Sequence, residues 1–111
     1  METKVTSYKH CDLIKVVGRV DSATAPQFAE AMQGITDQGR FKMILDLSAL
    51  DFISSAGLRV LINTQKTCKR YNRGEVVLAS VPTNIYAALD LSGFTALFQI
   101  FDDVTNAVGN F

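Results

Sequence analysis

The run Met43-Ile44-Leu45, inside the stretch Lys42 to Leu47, restricts the fold more than any other feature of the sequence. A strand with one face in water alternates apolar and polar residues. A run without a polar break suits a strand buried on both faces, and such strands occur in sheets covered by helices. Amphipathic segments lie on either side of this run to supply that cover. Before it, Phe28, Ala31, Met32 and Ile35 recur at the spacing of one helical face. Thr24 followed by Gln27 fits a capping box, Pro26 fits a first helical turn, and Gly39 is the expected stop. After the run, Ser54 and Ser55 open a second helix that Gly74 closes. Leu58, Leu61, Ile62, Gln65 and Cys68 fall on one side of that helix. Arg59, Asn63, Lys66, Arg70 and Arg73 fall on another, which reads as a solvated basic face.

The remaining elements follow the same alternation. Val5 to Lys9 and Asp12 to Val17 read as a hairpin connected through His10-Cys11-Asp12, with Gly18-Arg19-Val20-Asp21 ending its second strand. Glu75 to Ala79 is a further strand. Pro82 starts a third helix, with Ile85, Ala88 and Leu89 inward and Gly93 past its end. Phe98 to Phe101 is a last short strand, and Asp103 to Val108 a terminal helical turn or two. The order β β α β α β α β, then α, predicts an α/β fold in one domain, residues 1–111. Its sheet is mixed and mostly parallel, of about five strands, with an antiparallel N-terminal hairpin and four or so helices.

Composition excludes several classes of function. Eleven Lys plus Arg balance eleven Asp plus Glu, so there is no basic footprint for non-specific nucleic-acid binding. No apolar run approaches the ~20 residues that span a membrane. Met1-Glu2-Thr3-Lys4 lacks the layout of a signal peptide, so a cytoplasmic protein is expected. Cys11 and Cys68 stand in no metal-ligand spacing and are expected as buried or half-buried thiols. No metal or cofactor is expected. The single histidine, His10, has no nucleophile and acid arranged around it and reads as a solvated turn residue.

The informative stretch is Ile44 to Leu61. A buried strand ends in Asp46, a loop carries Asp51, and two serines, Ser54 and Ser55, meet the start of a helix ahead of Ala56 and Gly57. A helix N-terminus exposes unpaired N–H groups and a partial positive charge. A serine there caps the helix, and a phosphate on it is favoured by the dipole. Chemistry alone leaves both readings open. Small residues at 54–57 suggest an accessible surface. Parallel strands ending on one side place Asp21 and Asp46 near the start of this helix.

Phe52-Ile53-Ser54-Ser55-Ala56-Gly57-Leu58 resembles the phosphorylation-site motif of bacterial anti-sigma factor antagonists, the STAS-domain family. Its common form is Asp-Ser-Ser/Thr-Gly-Leu, with the phosphoacceptor two residues before the glycine. Gly18-Arg19-Val20-Asp21 with Thr24-Ala25 is similar to the family's Gly-Glu-Leu/Ile-Asp…Thr-Ala stretch, and Leu91-Ser92-Gly93-Phe94 to its late Ser/Thr-Gly-Leu turn. The likeness runs over nearly the whole chain. Ser54 stands in place of the family's Asp, Ala56 in place of Ser or Thr, and Arg19 in place of Glu.

The resemblance implies that Ser55 is phosphorylated, with Ser54 the second choice. It implies a partner surface around Asp21, Ser22, Thr24 and Asp46 at strand ends and Ser54, Ser55, Ala56, Gly57 and Arg59 on the helix. It implies a non-catalytic module, a monomer or weak dimer, whose partners are an anti-sigma factor serine kinase and a serine phosphatase. The unphosphorylated form binds the kinase and so releases a sigma factor. The alternative is a STAS regulatory or ligand-binding module of a transporter or stress-sensing complex.

Overall fold

The computed structural model describes residues 1–70 and 74–111. Its elements are β1 (Glu2–Ser7), β2 (Asp12–Val20), α1 (Ala25–Thr36), β3 (Lys42–Asp46), β4 (Leu50–Ile53), α2 (Ser55–Arg70), β5 (Glu75–Ala79), α3 (Thr83–Leu91), β6 (Ile100–Phe101) and α4 (Val104–Gly109), with a 3₁₀ turn at Thr95–Leu97. The sheet runs β1-β2-β3-β5-β6. β1 is antiparallel to β2 and the other pairs are parallel. β2 is shared along its length: Asp12–Lys15 pair with β3, and Gly18–Val20 pair with β4.

The apolar runs have the two-sided burial they require. Met43, Leu45, Val76 and Leu78 join the core shared with Phe28, Met32, Leu58 and Leu61 of the helices. Ile44 and Val77, pointing the other way, join Ala107 of α4 and Cys11 in a smaller core. Cys11 and Cys68 are free, buried thiols, and burial pushes the Cys68 thiol up to about 11. His10 is exposed in the turn. Gly39 and Gly93 follow α1 and α3 with φ of 77° and 75°, the left-handed conformation that ends helices. Arg73, expected on the basic face of α2, lies outside the described residues, as does the link from α2 to Gly74.

Four local expectations are corrected. β1 spans Glu2–Ser7, not Val5–Lys9, because Tyr8 N–H closes a turn onto the Cys11 carbonyl at 2.8 Å. As an edge strand with almost every residue exposed, it has no apolar face to mark it in sequence. The Thr24–Gln27 capping box does not form. The Thr24 hydroxyl turns back instead, accepting from Asp21 N–H at 2.9 Å and lying 3.0 Å from the Arg19 carbonyl. The stretch read as a loop after Asp46 contains β4. The last strand is only Ile100–Phe101, the residues before it forming the 3₁₀ turn and an extended link.

Candidate phosphoacceptor site

The site is built where β2 and β4 end side by side and α2 begins. Ser54 N–H donates to the Val20 carbonyl at 2.7 Å, which ties the last residue before the helix to the end of β2. The Ser54 Oγ accepts from Gly57 N–H at 3.2 Å, and its carbonyl accepts from Leu58 N–H at 2.9 Å. Ser54 is therefore the N-cap of α2, its oxygen occupied by one of the helix's unpaired donors.

Ser55 is the first residue of the 16-residue helix and is exposed. Its hydroxyl has no hydrogen-bond partner among the described residues. An open nucleophilic oxygen thus stands at the positive end of a helix dipole, where added negative charge is tolerated. Lys69 and Arg70 sit in the last turn, at the end that favours cations.

The neighbouring groups divide by burial. Ala56 is half-buried and Gly57 is buried. A Cβ on Gly57 would lie 2.7 Å from both Ile53 Cγ1 and Val20 Cγ1, so the close approach that Gly57 permits is that of the protein's own strands. Only part of 54–57 is accessible surface. Arg59 is exposed one turn after Ser55, on the same side of the helix. Ser22 is exposed in the turn that follows β2.

Asp21 organises that turn. Its Oδ1 accepts from Ala23 N–H and Thr24 N–H, each at 3.0 Å, and lies 3.1 Å from the Thr24 hydroxyl. The Thr24 N–H most of all holds this carboxyl below its ordinary 3.8. The Thr24 hydroxyl, Ala23 N–H and Arg19 act in the same direction, against an opposing effect of desolvation. Asp46 is the last residue of β3. It pairs with Lys15 at the end of β3, six residues before Asp21 in β2, and its Oδ1 accepts from Ser48 N–H at 3.0 Å.

A pair that the sequence did not show flanks the site. In the β2–β4 ladder Gly18 faces Leu50 and Arg19 faces Phe52, which leaves Asp51 as an extra residue in β4. The Arg19 guanidinium lies 4.6 Å from the centre of the Phe52 ring. The Asp51 carbonyl accepts from Asn84 Nδ2 at 2.8 Å, fastening α3 to the bulge. Phe52 appeared in sequence as one more apolar residue of the motif, and only the strand pairing reveals its partner. Cavities of about 330, 230 and 310 Å³ open elsewhere, and none of these three is lined by Ser54 or Ser55. Among the described residues no three His, Cys, Asp or Glu side chains converge to hold a metal ion, and no helix is long and apolar enough to cross a membrane.

Comparison with known proteins agrees with this fold. The family model described as the STAS domain matches residues 3–107. BtrV of Bordetella bronchiseptica, which carries the name of an anti-sigma factor antagonist, is 36% identical over 83 residues, covering 75% of this chain and 71% of that one. The crystal structure of an anti-sigma factor antagonist from Mycobacterium paratuberculosis superposes with a TM-score of 0.87 at 22% identity, over 98% of this chain and 92% of that one. The Bacillus cell-fate determinant SpoIIAA in its phosphorylated form superposes with a TM-score of 0.76 at 14% identity, over 98% of each chain. At these identities the two structures share the fold.

Proposed function

The chain belongs to the STAS-domain family, and from that premise we propose that it is an anti-sigma factor antagonist switched by phosphorylation of Ser55. Unphosphorylated, it binds an anti-sigma factor that is also a serine kinase, and the bound sigma factor is released. The kinase transfers the γ-phosphoryl group of ATP to the Ser55 oxygen, the bond to the β,γ-bridging oxygen breaking, ADP leaving and the hydroxyl proton being lost, and the complex dissociates. A serine phosphatase restores the binding form. The chain itself is substrate and binding module, not catalyst.

One observation carries this reading: of two adjacent serines, Ser54 is occupied in capping the helix and Ser55 presents an exposed, uncommitted hydroxyl. The name borne by BtrV and the existence of a phosphorylated SpoIIAA with the same fold support it. A phosphate adds about −1.5 to −2 charges at pH 7. At Ser55 the dipole of α2 offsets part of its local cost, so the fold is kept. The loss falls on the interface, where the new charge faces the partner together with the Asp21 turn. Ser22, Thr24 and Arg59 complete the docking surface, and Gly57 sets the position of the helix start from beneath.

Incubation with an anti-sigma factor serine kinase and ATP, followed by mass spectrometry, tests the assignment. Phosphate is expected on Ser55. Ser55→Ala should accept none and remain bound to the kinase. Ser54→Ala should still be phosphorylated while losing about 1 kcal/mol of stability with its cap. Phosphate on Ser54, or on neither serine, contradicts the proposal.

A further inference from the structure

The Arg19–Phe52 pair is a built feature that the phosphorylation reaction does not use. Phe52 is a large apolar side chain left 39% exposed, and Arg19 is exposed beside it. The bulge explains how they meet. Leu50 and Ile53 are both buried, with Asp51 and Phe52 exposed between them. The extra residue turns Phe52 out beneath Arg19 and returns Ile53 to the core against the α2 start. Bulges re-aim side chains in this way, and this one is fastened by Asn84.

The guanidinium is positioned without a direct polar partner, acting on Asp21 only through space. It makes no hydrogen bond or ion pair with any described residue, and it lies over the ring at 4.6 Å. Asp21, two residues on, directs its carboxylate into its own turn and forms no ion pair with Arg19. A stacked guanidinium has lost part of its freedom in advance and offers a planar fork of N–H donors, which matches a carboxylate. Its place also fits docking. Arg19 is followed by Val20, whose carbonyl holds Ser54, and Phe52 stands three residues before Ser55.

We propose that Arg19, held on Phe52, is the specificity-determining anchor of the docking surface and receives a carboxylate of the partner protein. The proposal rests on the reading that this surface docks an anti-sigma factor. It names the chemistry that partner must present, an Asp or Glu side chain against the β2–β4 ribbon. It also agrees with the direction of the switch, since a phosphate on Ser55 repels a partner that brings negative charge to this end of the molecule.

Calorimetric titration with the anti-sigma factor kinase that phosphorylates Ser55 tests it, at low and high salt. Arg19→Glu should weaken binding at least about tenfold, an effect that shrinks as salt rises. Arg19→Lys should recover only part of the affinity, because an ammonium lacks the fork. Phe52→Leu should weaken binding while keeping the charge. In phosphorylation assays Arg19→Glu should raise KM with kcat little changed. One Asp or Glu→Lys change on the kinase should restore binding to Arg19→Glu. Unchanged or tighter binding by Arg19→Glu, with the wild type bound normally, overturns this inference and leaves the phosphorylation reading standing. A wild type that binds no anti-sigma factor kinase overturns both.

Discussion

Ser54 and Ser55 are chemically identical neighbours, and the fold gives them different work. Which one caps depends on where the helix begins, a difference of one residue that propensity does not resolve. The sequence places a serine at the helix start, whereas the Ser54 N–H on the Val20 carbonyl decides which serine is left free. Asp21 shows the same limit. Its place after β2 is readable in sequence, and its function as the acceptor of three turn donors is not, because Thr24 and Gln27 also match a capping box. Those donors stabilise the carboxylate, so the folded protein binds the Asp21 proton less readily than the unfolded chain. Its contribution to stability is therefore present above the ordinary value of 3.8 and is lost as pH falls through the lower folded value. An NMR pH titration of the Asp21 carboxyl should show a midpoint below 3.8. A midpoint at or above it contradicts the turn geometry.

At the scale of elements, the start of α2 is positioned by what Gly57 lacks. A side chain there meets two β-branched residues, Val20 and Ile53, which have little rotamer freedom with which to yield. Gly57→Ala gains up to about 1 kcal/mol of helix propensity and loses more to overpacking, for an expected net loss of about 1–2 kcal/mol in urea unfolding. The same change should slow phosphorylation of Ser55, because the helix start shifts away from the strand ends. A stabilised variant phosphorylated at the normal rate contradicts that packing. Helices and central strands were readable because their apolar residues recur with a period. β4 was not, because its bulge replaces alternation with two buried ends around two exposed residues. The bounds of β1 are not legible either, because it has no buried face.

Across the whole molecule, α2 links the site to the far edge of the sheet. Gln65 is buried on it, donating to the Val76 and Leu97 carbonyls at 3.0 and 2.8 Å and accepting from Val76 N–H at 2.7 Å. β6 reaches β5 only at Leu78 and Ala79, so one side chain supplies Val76 with the pairing that a longer strand would have given. Sequence put Gln65 on the apolar side of α2, which is correct, without showing why a polar residue belongs there. Gln65→Leu leaves buried backbone groups unpaired and should cost about 2–4 kcal/mol, read by urea denaturation. A loss below about 1 kcal/mol contradicts the clamp.

Charge at this scale bears on the switch. The chain's formal net charge is zero, so one phosphate would set the sign of the whole domain, on the surface proposed to dock. The most direct test of the account is the affinity of one anti-sigma factor kinase for the protein before and after phosphorylation at Ser55. The unphosphorylated form should bind tightly and lose at least about tenfold in affinity on phosphorylation, with the same circular dichroism spectrum for both forms. Equal affinities for the two forms contradict it.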